Sequence, residues 1–209
     1  MFRRITLTAV SAGMIAGVFL WAAHLGMTTP LIQAAEVFES ATPAAAEGVE
    51  RAAFTLLADL VYAAGFAFLL TAAVSLKGGG VDWRVGILWG LSGYAVFFLA
   101  PSLGLPPELP GMKAAALESR QIWWLATVIA TAIGLGLAAF PPSAVAKALG
   151  LGLIVAPHLI GAPAHEIGPS DVPAALAAQF AITTAVVSGL FWIVLGGCTG
   201  YFYNRFGNA

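Results

Sequence analysis

The chain of 209 residues is 60% hydrophobic and only 9% charged, with a formal net charge of -1 and a mean hydropathy of +0.91. Soluble domains carry roughly 25% charged residues, so polar side chains cannot coat a globule of this size, and lipid must cover it. No basic stripe exists to hold phosphates, which argues against nucleic-acid binding, and one cysteine, Cys198, excludes an intramolecular disulfide and a thiolate metal cage.

A membrane-spanning helix needs about 20 apolar residues. Six segments read that way: 5–27, 52–76, 85–105, 122–140, 144–160 and 172–202. The first follows Arg3-Arg4, as a signal peptide would, but its run from Ile5 to Ala23 exceeds the ~7–15 residues of a signal core, so a retained span is expected. The second holds Asp59 and ends at the tight turn Lys77-Gly78-Gly79-Gly80. The third carries Gly86-x-x-x-Gly90, and the fourth Gly134-x-Gly136, small-residue spacings that allow close helix approach. Trp123-Trp124 beside Arg120-Gln121 read as an interfacial belt. Pro141-Pro142-Ser143 turns the chain into the fifth segment, which is short and has Lys147 near its start. The last segment is long enough to tilt or to begin before the hydrocarbon. The expectation is an all-α, polytopic transmembrane bundle, one integral domain over residues 1–209, with six spans, or five if the first or fifth does not cross.

Lys and Arg set orientation. With both termini cytoplasmic, Arg3, Arg4, Lys77, Arg84, Lys147 and Arg205 lie inside, against Arg51, Lys113 and Arg120 outside. The outer loops are then 28–51, 106–120 and 161–171, and Glu36, Glu39, Glu47, Glu50, Glu108, Glu118, Glu166 and Asp171 all fall outside. Within the largest loop, residues 30–39 suit a short interfacial helix with Pro30 in its first turn.

All three histidines, His24, His158 and His165, fall on this acidic outer side. Imidazole and carboxylate without thiolate suit a borderline divalent ion such as Co²⁺ or Ni²⁺, with Zn²⁺ and Cu²⁺ also admitted; interfacial histidines that simply tolerate the headgroup region are the bland alternative. Asp59 is the only acid well inside a span. A charge there costs at least ~2.5 kcal/mol, so it should face the bundle or a wet cavity, as an ion or proton site or as a protonated structural acid. Glu36 and Glu39 share a face if their loop is helical and could gather cations, or form an ordinary solvated face. Pro101 and Pro157 each free one carbonyl, of Phe97 and Leu153, near the outer surface. Their settings, Ala100-Pro101-Ser102-Leu103 and Ala156-Pro157-His158-Leu159, echo one another. Gly90-Leu91-Ser92-Gly93 has the pattern of an intramembrane serine protease. Depth argues against it: His158 levels with about Ser102, roughly 15 Å from Ser92, whereas a Ser–His pair needs about 3 Å.

Several stretches together resemble one family: Ala100-Pro-Ser-Leu-Gly-Leu-Pro-Pro-Glu-Leu-Pro-Gly111, Arg120-Gln-Ile-Trp-Trp124, Ala156-Pro-His-Leu-Ile-Gly-Ala-Pro163, Phe191-Trp192 and Glu36-x-x-Glu39. They are similar to CbtA, the predicted cobalt transporter subunit of bacteria. The resemblance implies cobalt uptake across the inner membrane in association with cobalamin regulation, and a small single-span, His-rich partner (CbtB-like). It places Glu108, His158 and Glu36 at matching motif positions.

The resulting expectation is a non-enzymatic subunit for Co²⁺, with no Walker A motif and hence no ATP-driven step of its own. Outer carboxylates (Glu36, Glu39) concentrate the ion. His158, His24 and Glu108 strip part of its hydration shell near the ends of the third and fifth segments, Asp59 passes it inward, and His165 is a further candidate ligand. On this expectation a His158→Ala variant loses metal-dependent growth. The alternative is a non-transporting subunit that only binds and assembles a partner.

Overall fold

A computed structural model describes residues 1–38, 48–164 and 171–207. Helices dominate, as they must where lipid offers no partner for backbone N–H and C=O groups. In chain order they are α1 (Phe2–Ala23), a π-helical turn (His24–Thr28), α2 (Thr29–Glu36), α3 (Gly48–Lys77), α4 (Trp83–Tyr94), a second π-helical turn (Ala95–Leu99), α5 (Ala100–Ser102), α6 (Leu117–Ala139), α7 (Ala144–Ile160) and α8 (Ala174–Gly207). Among the described residues, five helices are long and apolar enough to cross a membrane, the first running from Phe2 to Glu36 through its π-turn. The sixth candidate, α7, has 17 residues and spans about 26 Å, at the lower limit for a crossing.

Local chemistry sets the helix ends. The Asp82 carboxylate accepts from the Val85 N–H at 2.9 Å and starts α4. Ser143 caps α7 in the same way through the Ala146 N–H. The turn after Lys77 uses Gly78 and Gly79 at φ 72° and 84°, conformations open to glycine. Each π-turn is followed, one residue on, by a proline, Pro30 and Pro101. In each, one N–H reaches back five residues: Thr29 to the His24 carbonyl and Ala100 to the Ala95 carbonyl. A proline ring collides with the carbonyl four residues earlier, and the widened turn moves that carbonyl aside. Pro157 sits inside the continuous helix α7 instead, so the echo between the two Ala-Pro segments does not extend to backbone geometry.

Small residues bring the helices together. On α1, a Cβ placed on Gly13 or Gly17 would lie 3.0 Å from the Cα of Ala64 or Leu60 of α3. Gly86 and Gly90 of α4 meet Gly196 and Gly200 of α8, where a Cβ on Gly196 would stand 2.8 Å from the Gly90 Cα. The packing of Gly86 and Gly90 follows from their sequence spacing; the partner pair on α8 has the same spacing and was not singled out. Gly134 packs on Gly150 of α7, whereas Gly136 meets nothing within 4 Å. Only one glycine of the Gly134-x-Gly136 pair therefore serves the interface.

The result is a bundle of α1, α3, α4 and α8, with the α6–α7 hairpin attached chiefly through α6 to the second π-turn and α5. The bundle core holds Ala9, Ala12, Ala16 and Leu20 against Ala63, Ala67, Phe191, Trp192 and Leu195. At one end the Arg4 Nε donates to the Tyr203 carbonyl at 2.7 Å, and its guanidinium covers the Tyr203 ring. We call this the terminal end. At the opposite, loop end, Ala35 of α2, Leu109, Val172 and Phe180 form a separate apolar cluster, which ties the 103–116 connection to the start of α8.

Candidate ion site at the loop end of the bundle

The first π-turn begins at His24 and directs that ring toward α3. Its Nδ1 lies 2.9 Å from Oδ2 of Asp59. Asp59 is buried, at 6% exposure; the His24 side chain is partly open, at 29%. Together they border a cavity of about 280 Å³, lined also by Tyr62, Thr184, Ser188 and Phe98. The Thr184 hydroxyl is buried and has no hydrogen-bond partner among the described residues.

This geometry has a definite chemical meaning. When Nδ1–H donates to the Asp59 carboxylate, the ring is held in one tautomer and Nε2 is left free to bind a metal. Carboxylate–histidine–metal triads have this form, with the carboxylate fixing ring orientation and raising ligand basicity. Nitrogen and oxygen donors without thiolate suit first-row divalent ions. The same pair could also relay a proton.

The other sequence candidates lie elsewhere. Glu36 pairs with Arg51 at 2.7 Å, joining α2 to the start of α3. Glu108 pairs with Arg120 at 2.9 Å, joining the 103–116 connection to α6. His158 packs edge-on against Trp123, with ring centroids 6.0 Å apart. Glu39 and His165 lie outside the described residues. Among the described residues no group of three or more His, Cys, Asp or Glu side chains converges. Among the described residues, then, His24 and Asp59 meet, Glu36 and Glu108 each face an arginine, and His158 lies against Trp123. Each of these two acids has its charge matched by its arginine.

Ser92 donates to the Leu88 carbonyl of its own helix at 2.9 Å, and the two described-region histidines, His24 and His158, face Asp59 and Trp123. A second cavity of about 560 Å³ lies between the second π-turn and α6, bordered by Pro101, Ser102, Glu108, Arg120, Gln121 and Trp124, and shares Phe98 with the first.

Sequence reasoning missed Tyr62, Thr184 and Ser188. The signal was available: Tyr62 follows Asp59 by three residues, and Thr184 and Ser188 are four apart, so each pair shares a helix face.

No curated protein and no solved structure shows significant similarity to the chain. The family model described as "Probable cobalt transporter subunit (CbtA)" matches residues 2–204, so this multi-pass helical membrane protein belongs to the CbtA family.

Proposed function

We propose that the chain is the membrane-embedded subunit of a Co²⁺ uptake system of the bacterial inner membrane, and that the ion is handled at the His24–Asp59 cavity. The observation that carries this reading is the 2.9 Å Nδ1–Oδ2 contact at the wall of a cavity inside the bundle. His24 Nε2 is the metal ligand, Asp59 orients the ring and supplies negative charge, and the Ser188 and Thr184 hydroxyls offer neutral oxygens. The excess of Lys and Arg around the terminal end supports both termini being cytoplasmic, so the cavity faces the outside. Glu36, Glu108 and His158 then lie on the outer side of the protein, where acids raise the local cation concentration. A small single-span, His-rich partner of the CbtB type would deliver the ion or complete the assembly.

A subunit that only assembles a partner has no need of a carboxylate-held imidazole at membrane depth, which favours transport over assembly. The test is cobalt accumulation by cells producing His24→Ala or Asp59→Asn, together with X-ray absorption on purified protein. Loss of uptake in both variants and a nitrogen ligand in the cobalt spectrum are expected. Undiminished uptake by His24→Ala overturns the assignment.

A further inference from the structure

On the terminal side of the His24–Asp59 cavity the bundle is filled with aromatic rings. Along α3, Tyr62 and Phe66 follow Asp59; along α8, Phe191 and Trp192 follow Ser188; Phe97 enters from the second π-turn. The Phe66 ring lies 4.9 Å from Phe97 and 5.0 Å from Trp192. Phe97 stacks on Trp192 with planes 4° apart. At ~1.5 Å rise per residue, Phe66 stands roughly 10 Å beyond Asp59.

Two further observations bear on this layer. Trp192 is 1% exposed, yet its indole N–H has no hydrogen-bond partner among the described residues. A buried donor left unpaired is costly, and such a group in a native protein calls for an explanation. Beyond the layer, the hydroxyls of Thr71 and Thr199 are likewise buried and unpartnered. Elsewhere the helices touch backbone to backbone at Gly13, Gly17, Gly86 and Gly90, which leaves no room for passage. The seam between α3 and α4, which make few contacts with each other, is closed by the aromatic rings.

We propose that Phe66, Phe97 and Trp192 are the barrier that decides what leaves the cavity toward the terminal end. The second π-turn is the hinge, and the Trp192 N–H is the donor that meets the passing ion's hydration water. Hydrophobic constrictions hold a path shut by excluding water. A π-turn that reverts to α-register turns the helix on its two sides by ~100° relative to each other, and Phe97, in the middle of that turn, moves against Trp192 as it does. The inference rests on the cavity being the ion's station, and its test separates the two ideas.

The test uses the full chain in right-side-out membrane vesicles, with two readouts. One is Co²⁺ and Mg²⁺ entry. The other is labelling of the native Cys198, six residues beyond Trp192 and half-buried, by an impermeant trimethylammonium-ethyl methanethiosulfonate added at the loop end. In Phe66→Ala and Phe97→Ala, labelling is expected to rise ~10-fold or more, and Mg²⁺ enters along with Co²⁺. Trp192→Phe keeps an aromatic ring without the N–H, and is expected to keep the slow labelling but lower Co²⁺ entry. If the alanine variants fail to reach the membrane, Phe97→Leu, which keeps bulk without the stacked plane, takes their place. Labelling unchanged from wild type in membrane-inserted variants overturns the barrier, whatever happens to cobalt. Faster labelling with no Co²⁺ entry in any form, wild type included, upholds the barrier and overturns the cobalt reading instead.

Discussion

Two regions at the loop end use the same side-chain chemistry in opposite ways. In the bundle, His24 faces Asp59 at 2.9 Å beside a cavity. At the α6–α7 hairpin, His158 packs on Trp123, and Glu108 pairs with Arg120 of the same helix α6. Both regions bring a histidine and a carboxylate to the same end of the molecule. Only the first leaves an imidazole nitrogen and a carboxylate facing each other without an intervening cation. What separates a candidate ion site from a brace is therefore the position of the neighbouring arginine. An arginine beside a carboxylate supplies charge-assisted hydrogen bonds and so satisfies it. A neutral imidazole beside a carboxylate still has a ligand to offer.

The contrast breaks most sharply at His24. His24→Ala removes the only imidazole that lines the cavity among the described residues and is expected to lower cobalt affinity by about 100-fold, while His158→Ala leaves it within about twofold; radiotracer uptake on both variants checks this, and equal losses would erase the distinction between the regions. Asp59→Asn keeps the shape but weakens the hold on Nδ1, and a fall of ~10-fold in affinity is expected, read by metal titration of purified protein. The hairpin should answer in stability and not in binding. Arg120→Ala removes the cation 2.9 Å from Glu108 and is expected to cost ~1–2 kcal/mol, less than a fully buried pair because the arginine is partly exposed. Thermal unfolding in detergent measures it, and cobalt affinity should be unchanged. Smallest of all, Gly136→Ala is expected to be neutral or to stabilise by up to ~1 kcal/mol, since nothing crowds the site. Gly134→Ala, two residues away, should destabilise, because its Cβ would lie 2.6 Å from the Gly150 carbonyl. The same melting experiment distinguishes the two.

Much of this architecture was legible in the residues. Apolar runs bounded by charge, Pro and Gly located the helices within a few residues, because burial in lipid demands composition before it demands any partner. Asp59 was recognisable as a buried group facing the bundle, since an ionisable side chain at that depth cannot face lipid. The combined Pro-Pro-Glu-Leu-Pro-Gly and Pro-His-Leu-Ile-Gly-Ala-Pro motifs carried the family. The pairings were not legible. Nothing along the chain tells that Glu36 meets Arg51 or that Glu108 meets Arg120, because each pair closes a loop whose path depends on helix packing. The π-turns were half visible: Pro30 and Pro101 announced a disturbance, but Pro157 shows that the same residue can pass through an α-helix unaccompanied.

The sequence by itself therefore determined the class, the helices, their approximate ends and the family, all of which rest on hydrophobicity and local backbone rules that act within a few residues. Tertiary structure alone decided which histidine meets which acid, and that Phe97, Phe66 and Trp192 stack into one layer. Those facts depend on how antiparallel helices register against one another. That register is fixed by glycine contacts between segments as far apart as Gly86 and Gly196, and short-range chemistry carries no record of it.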